Sequence, residues 1–142
     1  MTLTRTFRIV AAVAALIAGY AHFSLYQDGY KDIPVAHIGA QFLLNALSSV
    51  LIAAALLAPV FMKAPPLLQH AAPVAGLGWA ASSLFAFWMS RTDGGWFGFR
   101  DGPGLNPSPE AALSVYPEIV VLVCCAALIA YSLVIRKRSA SS

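Results

Sequence analysis

The apolar residues of this chain fall into four long runs, separated by charges, prolines and glycines. A helix needs ~20 apolar residues to cross the hydrocarbon core of a bilayer. The runs cover residues 7–26, 34–59, 70–90 and 109–135. The pattern predicts an all-α protein in which residues 1–142 form a single membrane domain, a four-transmembrane-helix bundle.

The fourth run has the sequence of a helix start. Ser108, Pro109 and Glu110 provide a cap residue, a proline for the first helical position and an acid for the first turn. Pro117 follows about two turns later and cannot donate a backbone hydrogen bond. We therefore expect a helix that begins near residue 109 and kinks at Pro117.

Composition supports burial in lipid, since 59% of the 142 residues are hydrophobic and 11% are charged. A soluble domain usually has about a quarter of its residues charged. The basic residues lie at the chain ends and in short connections, an arrangement that argues against nucleic-acid binding.

The basic residues also predict the orientation of the bundle. Six share the side of the two termini: Arg5, Arg8, Lys63, Arg136, Lys137 and Arg138. Three lie on the other side: Lys31, Arg91 and Arg100. Because cytoplasmic loops are enriched in Lys and Arg, we expect both termini in the cytoplasm of a bacterial cell and a multi-pass protein of its plasma membrane.

Two predicted outer loops, residues 27–33 and 91–108, carry most of the distinctive sequence outside the spans. The second is long for a connection between adjacent helices, and it mixes aromatic residues with glycines. Its candidate functional residues are Trp96, Phe97, Phe99, Arg100 and Asp101. Three interpretations stay open: an aromatic belt at the membrane interface, a lid over the mouth of the bundle, and a docking surface for another protein.

Polar residues inside the spans mark a candidate pocket formed by His22, His37, Gln41, Asn45 and Glu118. Ionisable groups within a membrane are costly and usually face the bundle interior. His37, Gln41 and Asn45 follow at four-residue steps, which places them on one helix face. We expect the three ionisable residues to lie in the outer half of the bundle, where their side chains can meet.

Three interpretations of this polar set compete. The first is hydrogen bonding between helices, which requires no ligand. The second is a ligand, quinone or proton site, and the third is metal or haem ligation, with His22, His37 and Glu118 as weak metal candidates. No cofactor is predicted, and haem, quinone and metal stay open as alternatives.

Several segments of the chain carry a family resemblance: AHFSLYQDGYKDIP, IGAQFLLN, WFGFRDG and NPSPEAALS. With them the chain resembles a group of small four-helix membrane proteins from actinobacteria. It is more distantly similar to the DoxX-like four-helix proteins, in helix count and in its early histidine. The resemblance implies a fold and a cell type but no reaction.

No catalytic motif accompanies these features, so no catalytic residue is predicted and an enzyme is the less favoured class. Small size and an aromatic outer loop favour a non-catalytic accessory subunit of a larger membrane complex, such as a respiratory one. Its partners would be the lipid bilayer and other membrane subunits, or further copies of itself. The alternatives are a ligand-binding or redox membrane protein with an outer-leaflet pocket, and a small oligomeric transporter.

Overall fold

The computed structural model describes residues 3–140, and its regular structure is helical. Four long helices are present in this part of the chain: α1 (Leu3–Gln27), α2 (Ile38–Phe61), α3 (Pro66–Met89) and α4 (Glu110–Ala140). Each contains a stretch that is long and apolar enough to cross a membrane. The prediction of an all-α chain with four such helices is confirmed.

The helices form an antiparallel bundle in which α1 packs against α2 and α4, and α3 packs against α4. The contact between α2 and α3 is the least extensive of the four neighbouring pairs. We call one end of the bundle the loop end, because it carries the connections 28–37 and 90–109. The other is the terminal end, with the first residues of α1, the connection 62–65 and the last turns of α4.

Small side chains allow the helices to approach closely around α1. Ala11, Ala15 and Ala18 are fully buried on its inner face. A Cβ added at Gly19 would overlap the side chain of Ser49 on α2, so the close contact between these helices requires glycine. Such close van der Waals contact between small residues is the packing that drives helix association in lipid.

The helix boundaries differ from those of the apolar runs. α1 begins four residues before residue 7, α3 begins at Pro66, and α4 continues to Ala140. Backbone hydrogen bonds can extend a helix into polar sequence beyond the bilayer core, which hydropathy alone does not detect. α4 runs through Pro117 as a helix, and the kink there stays a prediction.

The start of α2 departs from the sequence pattern in a way that matters for the candidate pocket. Instead of a helix from residue 34, the chain forms a short 3₁₀ helix at Val35–His37 and then begins α2 at Ile38. Ala36 and His37 have positive φ angles of 55° and 52°. The chain therefore turns before the helix, and His37 lies outside the regular helical register of Gln41 and Asn45.

Candidate functional site

Each helix contributes a polar side chain to one buried cluster in the loop-end half of the bundle. His22 comes from α1, Asn45 from α2, Ser83 from α3, and Ser114 and Glu118 from α4. Glu118 is 0% exposed and His22 is 8% exposed. The helices are long and apolar enough to cross a membrane, and in lipid the polar groups on these faces would need partners inside the bundle.

Glu118 is the acceptor at the centre of this cluster. His22 Nε2 lies 2.8 Å from its Oε1, and the Ser83 and Ser114 hydroxyls donate to the same oxygen at 2.6 and 3.2 Å. Asn45 Nδ2 donates in turn to Ser83 Oγ at 3.0 Å. Glu118 Oε1 thus joins α1, α3 and α4 directly, and α2 is linked to it through Asn45 and Ser83.

A cavity of about 420 Å³ adjoins the cluster, with linings that come mainly from α2, α3 and the loop above them. His22, Asn45, Ser83 and Ser114 form its polar floor, whereas Glu118 lies behind them. The apolar wall consists of Ile38, Phe42, Leu44, Trp79, Phe85, Ala86 and Phe87. The volume falls within the range of ~300–1,000 Å³ typical of small-molecule pockets, which also combine apolar walls with a few polar groups.

Three polar atoms of the lining residues are buried without a hydrogen-bond partner. They are Trp79 Nε1, a donor, Asn45 Oδ1, an acceptor, and the ring nitrogen His22 Nδ1, whose role follows from the histidine tautomer. A buried polar group without a partner costs about 1–3 kcal/mol. The cavity lining therefore offers at least one unpaired donor and one unpaired acceptor, together with the unpaired ring nitrogen of His22.

The aromatic loop folds back over this cavity. Trp96 and Phe99 both line it, and their backbones pair through reciprocal hydrogen bonds of 2.8 and 2.9 Å. Trp96 Nε1 donates to Gln41 Oε1 at 2.8 Å, which fastens the loop to α2. Gly95 has a φ of 66° and packs against the Phe99 carbonyl, where a Cβ would not fit. We call residues 95–101 the lid.

Arg91 and Asp101 hold the base of the lid. The Arg91 guanidinium donates to the carbonyls of Gly104 and Asn106 at 2.8 and 2.7 Å and forms an ion pair with Asp101 at 3.6 Å. Tyr30, from the other loop, donates to Asp101 at 2.9 Å. Burial, and then this hydrogen bond, raise the pKa of Tyr30 well above its usual value, whereas burial lowers the pKa of Arg91. The two loops are thus joined by partly buried polar contacts.

The structure brings together most of the predicted pocket residues but not His37. His22, Asn45 and Glu118 meet in the cluster, and Gln41 lines the cavity above it. His37 is exposed and contributes to neither, because the chain turns at Ala36 and His37 before α2 begins. Its assignment to the pocket on the four-residue stripe is corrected on this point.

The predicted loop residues divide into two groups. Trp96, Phe99 and Asp101 face the cavity, whereas Phe97 is 74% exposed and Arg100 is exposed. The first three thus occupy the positions of a lid. Phe97 and Arg100 lie on the outside of the same loop, where a membrane interface or a partner protein is accessible to them.

The metal alternative lacks a third ligand in this arrangement. His22 and Glu118 lie in contact, but the third candidate, His37, is outside the cluster. Within residues 3–140, no three His, Cys, Asp or Glu side chains gather in a geometry that could hold a metal ion. Haem ligation by the two predicted histidines meets the same obstacle, because they do not face one site.

Four residues of the site were not singled out from the sequence. Ser83 and Ser114 are common in apolar helices, where a hydroxyl can bond to its own backbone, so they carry no signal. Arg91 was considered only as a charge that indicates topology, and Tyr30 was not considered separately from its loop. A partial signal was available for Ser114, because Ser114 and Glu118 are four residues apart and therefore share a helix face.

Comparison of the chain with protein-family models, curated proteins and solved structures returned no match.

Proposed function

We propose that this protein binds a lipid-soluble small molecule with a polar head group in the loop-end cavity. The observation that supports it most is the buried His22–Glu118 pair behind a cavity of about 420 Å³ that Trp96 and Phe99 cover. A polar network that only joined helices would need neither a cavity beside it nor a lid over it. The function proposed is binding, with no reaction attached to it.

The chemistry of the lining favours a particular class of ligand. Aromatic and aliphatic side chains would accommodate a ring or a short apolar chain, and the floor would bind a head group. Trp79 Nε1 and Asn45 Oδ1 match a ligand that both accepts and donates hydrogen bonds. Hydroquinones and phenols have this combination, and an oxidised quinone supplies the acceptor for Trp79 Nε1. Members of this class that carry apolar tails partition into the bilayer.

The membrane setting of the proposal rests on the four apolar helices and on the charge pattern. With both termini in the cytoplasm, the cavity would open in the outer leaflet of a bacterial plasma membrane. An actinobacterial source is proposed from the resemblance of the sequence alone. A ligand dissolved in the outer leaflet would then reach the cavity without crossing the cytoplasm.

A quinone titration tests this function directly. Quinones quench tryptophan fluorescence, and two of the three tryptophans, Trp79 and Trp96, line the cavity. In a Trp88→Phe background, in lipid nanodiscs, we expect saturable quenching by a short-chain benzoquinone. His22→Leu should weaken binding about threefold to tenfold, the value of one hydrogen bond.

His37→Leu is the matched control, because the same substitution is made at an exposed histidine outside the cavity. It should bind the quinone as the parent protein does. Quenching that is linear in quinone, or that is equal in the two histidine variants, would contradict the proposed site.

The accessory-subunit and transporter functions stay predictions from the sequence. The exposed Phe97 and Arg100 would form part of a docking surface in the first case. Gentle extraction followed by mass measurement separates it from the binding proposal. A stable complex with other membrane subunits favours an accessory role, whereas a free chain that binds quinone favours the cavity.

A further inference from the structure

The terminal end of the bundle has a groove of about 750 Å³ that is lined by both basic and apolar side chains. Its polar lining includes Arg5 and Arg8 of α1, His70 of α3 and Tyr131 of α4. The apolar lining comes from α2, α3 and α4. The groove is separate from the loop-end cavity and shares no lining residue with it.

No acidic residue lies at this end of the molecule. All six acids fall between positions 28 and 118: Asp28, Asp32, Asp93, Asp101, Glu110 and Glu118. The nearest along the bundle is Glu118, which is paired with His22, and His22 is fourteen residues from Arg8 on the same helix. At a rise of 1.5 Å per residue this is about 21 Å, well beyond the Debye length at physiological salt. The groove is therefore a region of uncompensated positive charge.

Arg8 is the residue that distinguishes the groove from an ordinary basic helix end. Its Nη2 donates to the Gln69 carbonyl at 2.7 Å, and its Nη1 is buried without an acceptor. Positive-inside topology requires only exposed charges beside the membrane, such as Arg5 and Lys63. A partly buried guanidinium costs desolvation energy that a nearby anion offsets.

The position of the groove indicates where that anion comes from. Arg5 and Arg8 lie in the first two turns of the candidate span Leu3–Gln27. In a helix that crosses a membrane, these turns would lie where head groups meet acyl chains. Leu128 and Val74 provide apolar surface beside them. A phosphate diester that carries acyl chains matches both halves of the lining, and basic pockets between transmembrane helices bind such head groups.

We propose that the groove binds the phosphate of an anionic phospholipid. Arg5 and Arg8 neutralise the phosphate, and the apolar walls contact the first part of the acyl chains. The proposal is independent of the ligand in the loop-end cavity.

Native mass spectrometry of the detergent-solubilised protein tests the proposal. With equimolar phosphatidylglycerol and phosphatidylcholine, we expect the parent protein to retain phosphatidylglycerol preferentially. Arg5→Gln should reduce that retention about fivefold, the value of one basic side chain near an anionic surface. Lys63→Gln removes an exposed charge from the same end but lies outside the groove, and it should retain the lipid as the parent does.

Arg8→Gln should abolish the preference. Arg5 is exposed, so the comparison of its variant with Lys63→Gln holds even if the Arg8 variant does not fold. Equal losses in Arg5→Gln and Lys63→Gln would show that retention follows net charge, which overturns the groove. Displacement of the lipid by millimolar inorganic phosphate would assign the site to a free anion and overturn the lipid.

Discussion

Replacing Glu118 with leucine removes the acceptor that joins α1, α3 and α4, to which α2 is linked through Asn45 and Ser83. Three donors lose their partner, because His22, Ser83 and Ser114 all bond to the same carboxylate oxygen. Hydrogen bonds between membrane helices contribute about 0.6 kcal/mol each on average. Two of the three bonds join helices, because Ser114 lies on α4 with Glu118. We therefore expect Glu118→Leu to lower the free energy of unfolding by about 1.2 kcal/mol, which is about eightfold in the unfolding equilibrium constant.

A double-mutant cycle then isolates the pair at the centre. His22→Leu removes one of the three donors, so it should cost less than Glu118→Leu. In the double variant, neither side chain is left without its partner. The loss of unfolding free energy should therefore be smaller than the sum of the two single losses by about 0.5–1 kcal/mol. Unfolding by sodium dodecyl sulfate in mixed micelles, followed by circular dichroism, measures all three variants.

His37→Leu is the control for this series, because His37 is exposed and is not part of the hydrogen-bonded cluster around Glu118. Its stability should stay within about 0.5 kcal/mol of the parent protein. If Glu118→Leu were as stable as the parent, the network would not hold the helices together. Strict additivity of the two single variants would refute the direct contact between His22 and Glu118.

Further predictions concern helix packing and the lid. Gly19→Ala should destabilise the bundle by about 1–3 kcal/mol, because its Cβ would overlap Ser49. A Cβ at Gly78 meets nothing within 4 Å, so Gly78→Ala should be neutral or stabilising. Thermal unfolding measures the stability of both variants. Trp96→Phe keeps an aromatic ring but removes the N–H that donates to Gln41. Amide hydrogen exchange in residues 95–101 should therefore become faster, while exchange in α3 stays unchanged. Slower or unchanged exchange in the lid would count against its attachment to α2.

The helices could be predicted from the sequence because lipid imposes a simple rule. Backbone N–H and C=O groups in lipid must form hydrogen bonds within each span, and a helix is the structure in which a single apolar run does this. The ends were less predictable, as Leu3 and Pro66 illustrate. Hydropathy indicates the apolar stretch that fits a bilayer core. The helix itself continues for as long as its backbone hydrogen bonds continue, including into polar sequence.

The candidate site could be predicted only in part, and His37 illustrates the reason. A four-residue step places two side chains on one face only if the helix is continuous between them. The positive φ angles at Ala36 and His37 interrupt it, and neither residue type signals such a turn. The preceding Ile33–Pro34 step was the available warning, since a proline restricts the residue before it.

The meeting of His22 with Glu118 depends on how α1 and α4 are placed, and 96 residues separate the two. The sequence indicates that both lie at a similar level of the bundle, because both are near the loop end of their apolar runs. It does not give the rotation of each helix about its axis. That rotation follows from the packing of small residues such as Ala18 and Gly19, which only the assembled bundle defines.

The most direct test of the proposed cavity uses the three histidines of the chain, His22, His37 and His70. In protein labelled with ¹⁵N-histidine in lipid bicelles, a short-chain benzoquinone should shift the imidazole signals of His22 in a saturable manner. The signals of the exposed His37 and of His70, at the other end of the bundle, should stay in place. A His22 signal that does not move at saturating quinone, or equal shifts at all three histidines, would contradict a ligand site at the His22–Glu118 pair.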